Sequence, residues 1–214
     1  MIPIAPEGWK ILVPIAGFAI VGGAVAGILG HLWLGVPGFV MLAGAVWFFR
    51  DPERVPPADD RLVVSPADGR VLDVRRVEEH ALLGGPAMRV SIFMSPLNVH
   101  VNRSPVRGTI ERIQHVSGRF HAAFADKASD ENERTAVVLA SDGRRYLIVQ
   151  IAGAVARRIV CRRKEGDVVQ RGERYGMIMF GSRVDVYLPL DVRVRVVPRM
   201  RVLAGSTAIA EIGA

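Results

Sequence analysis

No formally charged residue occurs between Ile11 and Phe49. A single helix of about 39 residues, rising about 1.5 Å per residue, would be roughly 58 Å long. That is nearly twice the roughly 30 Å of a bilayer's hydrocarbon core. The pattern therefore predicts two helices, about Ile11 to Leu29 and Leu32 to Phe49, turning near Gly30 and His31. A buried hairpin in a water-soluble core is the alternative, and it lacks the polar face such helices carry. The run is too long for a cleaved signal peptide, whose apolar region spans about 7 to 15 residues. Glycines and two prolines, Pro14 and Pro37, leave a shallow re-entrant hairpin open beside a spanning one.

Beyond Asp51 the pattern changes to short β-branched runs cut by glycine, proline and aspartate, such as RLVVSPADGRVLDV, TAVVLASDGRRYLIVQIAG and VRVRVV. This spacing predicts strands and a mainly β domain. Asp142-Gly143 supplies the positive backbone angles of a tight two-residue hairpin turn. PADG marks a second turn, and the stretch from Ala122 to Asn132 reads as a loop with a short helix. The chain thus divides into a hydrophobic hairpin, residues 1–49, and a β-rich domain, residues 50–214.

Charge sharpens that division. The chain holds 28 bases and 21 acids, a net charge of +7. Residues 1–49 contain one acid, Glu7, and one base, Lys10, so the whole excess lies in 50–214. Lys10 before the apolar run and Arg50, Arg54 and Arg61 after it place positive charge at both ends, which by the positive-inside rule keeps both ends cytoplasmic. Trp9, Trp33 and Trp47 fall near the helix ends, where amphipathic rings favour the headgroup zone. Of the 28 bases 25 are arginine, whose planar fork suits phosphate and carboxylate. A basic surface beside a membrane attracts anionic lipid, although a general arginine bias on solvated strands would give the same count. Few aromatics are available for base stacking, which argues against nucleic acid. One cysteine, Cys161, excludes an internal disulfide framework.

Candidate chemistry lies in four segments: SPADG with Asp68, FMSPLNVHVNRSP with His100, DENER with Asn132, Glu133 and Arg134, and MIMFGSRVDVYLP with Gly181 and Ser182. Each has a plainer reading. Asp68 before Gly69 suits a turn, His100 between Val99 and Val101 suits a strand interior, and Glu133 with Arg134 suits an exposed ion pair. His115 and His121 fit surface groups, and the histidine spacing matches no metal cluster. Arg157 and Arg158 follow a strand-like run whose alternation sends them to opposite faces.

Taken together and in this order, the four segments resemble the phosphatidylserine decarboxylases, specifically their short, membrane-anchored bacterial form. The resemblance runs from about Phe49 to the C-terminus, and the hairpin is in keeping with it. It implies self-cleavage between Gly181 and Ser182 and a covalent pyruvoyl group made from Ser182, with no metal. The cleaved small chain, 182–214, would stay with the large chain, 1–181. The substrate implied is phosphatidylserine, whose amine would form a Schiff base with the ketone and lose carbon dioxide to give phosphatidylethanolamine. The ketone acts as an electron sink. Pyridoxal would need a positioned lysine, and outside the hairpin only Lys127 and Lys164 exist.

The resemblance also assigns Asp68 and His100 to catalysis. Relatives often have a second histidine three residues after the first, where this chain has Arg103. The base for self-cleavage is therefore left among His100 acting twice, His115 and His121. Arg103, Arg134, Arg157 and Arg158 are the candidate phosphate readers, and the expected location is the cytoplasmic side of the cell membrane.

Two other functions remain. EGDVVQRGERYGMIMFG resembles half of a biotinyl or lipoyl barrel-sandwich, although no lysine follows Arg171 to carry a cofactor. That likeness fits a non-catalytic membrane adaptor, or a shared barrel-sandwich fold alone. An inactive relative would retain barrel and tether while lacking the histidine at Arg103.

Overall fold

The computed structural model describes residues 3–118, 132–153, 158–179 and 181–213. They fall into two compact units, Met1–Glu53 and Arg54–Ala214.

In the first unit, α1 (Trp9–Ile28) and α2 (Val36–Phe48) are joined by a bend at Gly30, where φ is +71°, and a 3-10 turn, Leu32–Gly35. The bend falls where the sequence puts it. The second helix starts four residues later than expected, because residues 32–35 wind more tightly. Leu12, Ala19 and Ala26, seven residues apart, form the buried seam of α1. A Cβ on Gly35 would stand 3.0 Å from Gly23 Cα, and one on Gly38 would stand 3.0 Å from Ala19 Cα, so small residues set this close approach. Large apolar side chains, among them Phe18, Ile20, Ile28 and Trp33, point outward. Pro6–Ile28 is long and apolar enough to cross a membrane. The hairpin is closed at its base: Ile4 bridges Arg50, Ala5 N–H donates to Phe49 O at 2.8 Å, and Asp51 N–H donates to Pro3 O at 2.7 Å.

The second unit makes the protein mainly β, with 44% of the described residues in strands and 21% in helices. In chain order the strands are β1 (Leu62–Val64), β2 (Gly69–His80), β3 (Gly85–Met94), β4 (Val101–Arg103) and β5 (Gly108–Val116). Then come β6 (Arg134–Ser141), β7 (Arg144–Ala152), β8 (Arg158–Cys161), β9 (Val168–Val169) and β10 (Arg174–Met179). The last four are β11 (Ser182–Leu188), β12 (Val192–Val194), β13 (Arg201–Val202) and β14 (Ala208–Ile212). Eight of them form a curled half-barrel in the order β13-β2-β3-β11-β7-β6-β5-β9. Two three-stranded sheets, β1-β14-β12 and β4-β10-β8, complete the barrel-sandwich-like domain.

The Asp142-Gly143 turn forms as its sequence demands, with φ of +47° and +74° between the paired residues Ser141 and Arg144. Gly69 has a different reason: a Cβ there would lie 2.2 Å from Phe93 O, so only glycine lets β2 start against β3. The main core includes Ile92 and Met94 of β3, Tyr146 and Ile148 of β7, and Val184 and Val186 of β11. On the other face, Leu147, Val149, Ile151 and Tyr187 pack in a second cluster. The middle of the half-barrel is therefore buried on both sides, each fully buried aliphatic side chain contributing roughly 1.5–3 kcal/mol. Apart from Asn132, the expected loop and short helix from Ala122 to Asn132 lie outside the described residues.

Candidate functional site around Ser182

β10 belongs to one of the small sheets and β11 to the half-barrel, so the chain changes sheets between Met179 and Ser182. Gly181 makes the crossing with φ +49°. No atom lies within 4 Å of a Cβ built there, so it is the backbone angle and not crowding that calls for glycine. Ser182, the first residue of β11, is paired with Met94 on one side and Ala152 on the other and is fully buried.

The hydroxyl of Ser182 donates to Met94 Sδ at 3.4 Å, a weak acceptor that leaves the oxygen lightly held. The same sulfur lies 3.7 Å from Asn102 Nδ2, and Asn102 Oδ1 accepts a hydrogen bond from Gln150 Nε2 at 2.8 Å. Gln150 stands opposite Val184, so it shares the face of Ser182. Its Oε1 is buried and has no hydrogen-bond partner among the described residues. Ser182, Met94, Asn102 and Gln150 thus form a polar cluster inside an apolar core, every member fully buried. Sequence reasoning missed Met94, Asn102 and Gln150. The available signal was a glutamine within the apolar run LIVQIA, where a fully buried amide needs a partner.

Two expected residues sit on strands or strand ends next to those that carry this cluster. His100 precedes β4, and its carbonyl accepts the Ile178 N–H of β10 at 3.3 Å, on the strand that leads into Gly181. The ring Nδ1 is 2.9 Å from Asn98 O. A carbonyl only accepts, so Nδ1 carries the proton and a neutral ring presents Nε2 as its basic atom. Asp68 precedes β2 at the end of the sheet where Met94 closes β3. Its Oδ2 accepts Arg54 at 3.0 Å, with both side chains largely buried, and its Oδ1 accepts Ala204 N–H at 2.7 Å. β3 runs between β2 and β11, so Ser182 and the start of β2, which Asp68 precedes, lie about two strand spacings apart, roughly 10 Å.

The other candidates are spread around this centre. Asn132 is buried, and its Nδ2 donates to Ala152 O, on the residue that pairs with Ser182, at 2.7 Å. Arg134 starts β6 and reaches Asn132 O at 3.3 Å. Glu133 lies 3.9 Å from His115 Nε2, and His115 is on β5, three strand spacings or roughly 14 Å from β11. Arg103 is buried and donates to Gly172 O at 3.0 Å, holding a turn. Arg158 is exposed and pairs with Met179, three residues before Ser182. Arg157, His121 and Lys127 lie outside the described residues.

The opposite face of β11 is ionic. Arg183 donates to both carboxylate oxygens of Asp185 at 2.6 and 2.9 Å and to Ser91 Oγ at 3.0 Å. Arg89 pairs with Asp73 at 2.9 Å and stands 4.0 Å from Asp185. Arg183 and Asp185 are fully buried, and burial pushes the neighbouring Tyr187 hydroxyl above its ordinary pKa. No group of three metal-ligating side chains was found among the described residues.

A mainly β domain with a Gly-Ser junction, its serine buried, at a change of sheet defines the class of architecture. The family model for phosphatidylserine decarboxylase matches residues 42–210, and the chain belongs to that family. It is 48% identical over 207 residues, 96% of this chain and 94% of the relative, to a phosphatidylserine decarboxylase proenzyme of Symbiobacterium thermophilum. It is 47% identical over 197 residues, 90% of this chain and 88% of the relative, to a phosphatidylserine decarboxylase proenzyme of Magnetococcus marinus.

Proposed function

We propose that this chain is a self-processing decarboxylase that converts phosphatidylserine to phosphatidylethanolamine and carbon dioxide at the inner face of a membrane. The observation that carries the proposal is the junction itself: a fully buried serine with a lightly held hydroxyl, entered through a glycine at φ +49°.

In the processing step Ser182 Oγ attacks the carbonyl carbon of Gly181, the C–N bond breaks, and the nitrogen takes a proton, leaving an ester. Loss of the Ser182 Cα proton expels the Gly181 carboxylate and leaves dehydroalanine, which adds water and releases ammonia, so a ketone heads the chain 182–214. A serine hydroxyl needs a base for this attack. His100 Nε2 is the preferred candidate, because Asn98 fixes the ring tautomer. Asp68, gripped by Arg54 and Ala204, supplies negative charge at the same end of the sheet.

The side chains beside the serine fit the resulting pyruvoyl group, since Asn102 Nδ2 makes only long contacts among the described residues, to Pro66 O at 3.5 Å and Met94 Sδ at 3.7 Å, and is a buried donor for a ketone oxygen, while Gln150 Nε2 orients that carboxamide through Asn102 Oδ1. These two side chains would hold it. The group supplies an electron sink that accepts the electron pair left by departing carbon dioxide. Around it the core excludes water, His100 offers a proton-exchanging nitrogen, and exposed Arg158 is placed to meet the lipid phosphate with charge-assisted hydrogen bonds. The hairpin, closed at its base and apolar outside, would anchor the enzyme so that a diacyl substrate need not leave the bilayer.

Intact-mass measurement of purified protein tests the proposal. The expected products are fragments 1–181 and 182–214, the smaller carrying a ketone that hydroxylamine traps. Ser182→Ala should leave one chain without activity. Active preparations consisting of an uncut chain would overturn the reading.

A further inference from the structure

The chain leaves its helical unit at Glu53, and the next residue, Arg54, pairs with Asp68. The other carboxylate oxygen of Asp68 accepts the N–H of Ala204. The point where the tether joins the β domain is therefore bridged through one aspartate to Ala204, the residue that follows the segment 197–203. From Phe48, the end of α2, to Arg54 is six residues, a reach of at most about 20 Å.

That segment has an unusual surface. Val196, Val202 and Ala204 are buried, while Val197, Met200 and Leu203 are 60%, 39% and 46% exposed. The exposure belongs to a fixed shape. Arg199 N–H donates to Val71 O at 2.8 Å, Val71 N–H donates to Met200 O at 2.9 Å, and Arg201 pairs with Arg70 between β13 and β2. Arg199 sits at φ +75°, a conformation uncommon for a residue with a side chain. Arg70, Arg199 and Arg201 are all exposed, and none has a side-chain hydrogen bond or ion pair among the described residues. No acid occurs between Asp191 and Glu211.

Three outward apolar side chains on a pinned turn, ringed by three unpaired arginines, fit a surface that is oily inside and anionic outside. We propose that residues 197–203 dock onto an anionic bilayer surface as a second membrane contact. Val197, Met200 and Leu203 enter the headgroup zone, and Arg70, Arg199 and Arg201 meet lipid phosphates, as basic juxtamembrane groups do. The inference rests on the hairpin lying in the bilayer, and it adds a second attachment made by the β domain itself.

The test uses the full chain with Met200→Cys in a Cys161→Ser background, nitroxide-labelled and reconstituted in vesicles. One set is phosphatidylcholine alone, the other phosphatidylcholine mixed with phosphatidylglycerol. In the mixed vesicles the label should collide more with lipid-soluble oxygen and less with a water-soluble nickel chelate. Arg199→Gln with Arg201→Gln, or high salt, should lower the docked population by roughly tenfold or more. A label at Leu203→Cys repeats the measurement from an independent position. Co-flotation with vesicles while both labels stay open to nickel would overturn the inference alone, as would a label depth indifferent to the arginine changes. A chain that fails to co-float would overturn the membrane reading and this inference with it.

Discussion

On one face of β11, Arg183 and Asp185 are locked to each other, to Ser91 and to the Arg89–Asp73 pair. On the other face of the same strand, Ser182 leans on a methionine sulfur and Val184 and Val186 on aliphatic core. The two faces hold the strand in opposite ways. The ionic face fixes backbone position through short, charge-assisted bonds, and the neutral face leaves the reactive hydroxyl free to leave its weak partner. The proposed attack of Ser182 on its own backbone would gain from both: a stationary frame and a side chain that little restrains.

Breaking either face should give a different kind of failure. The largest effect is expected for Ser182→Ala, which abolishes chain cutting while thermal stability stays close to that of the parent. Next is Asp185→Ala, which strands the Arg183 guanidinium in the core; a loss of about 3–5 kcal/mol is expected in denaturant unfolding. Pairing it with Arg183→Met should recover much of that loss, since the uncompensated charge is then gone. Gln150→Ala leaves Asn102 Oδ1 without its donor, so a loss of about 1–3 kcal/mol is expected. Slower chain cutting by mass spectrometry should accompany it, out of proportion to the stability loss when compared with a change confined to the ionic face. Met94→Leu preserves volume and should cost less than about 1.5 kcal/mol, so any larger change in cutting rate would report on the sulfur itself.

The smallest effect concerns His80, whose ring packs edge-on against Tyr187 at 4.6 Å. Burial, and then the charge of Arg134, holds His80 below the ordinary histidine range. The unfolded chain therefore binds this proton more readily, and stability should fall as pH drops through about 6.5, the unfolded value. His80→Phe should flatten that slope in unfolding curves between neutral and mildly acidic pH.

Legibility in the sequence followed how local each signal is. The uncharged run announced two apolar helices, and Gly30 marked their bend, but nothing local distinguished the 3-10 turn at residues 32–35 from the helix it precedes. Asp142-Gly143 was readable because its backbone angles are a property of two residues. Gly181, Ser182, Asp68 and His100 stood out only as a set of segments in a shared order. Met94 was silent and Gln150 showed only as a glutamine in an apolar run, because their place beside Ser182 comes from register across β3 and β7. Arg183 and Asp185 ran against expectation for a different reason. Charged residues alternating with valine normally indicate a solvated face, and here both faces of the strand are covered.

The position of β11 has one more consequence. The segment beginning at Ser182 supplies a middle strand of the half-barrel, its edge strand β13, and two of the three strands of another sheet. If it is severed at its head, as proposed, it would remain threaded through the finished molecule, yet the covalent loop that delivered it would be gone. Heat-denatured mature protein would have to find its missing piece by collision, at a rate set by dilution, whereas an uncut Ser182→Ala chain refolds alone. Maturation would thus erase the instructions for assembly while keeping the product.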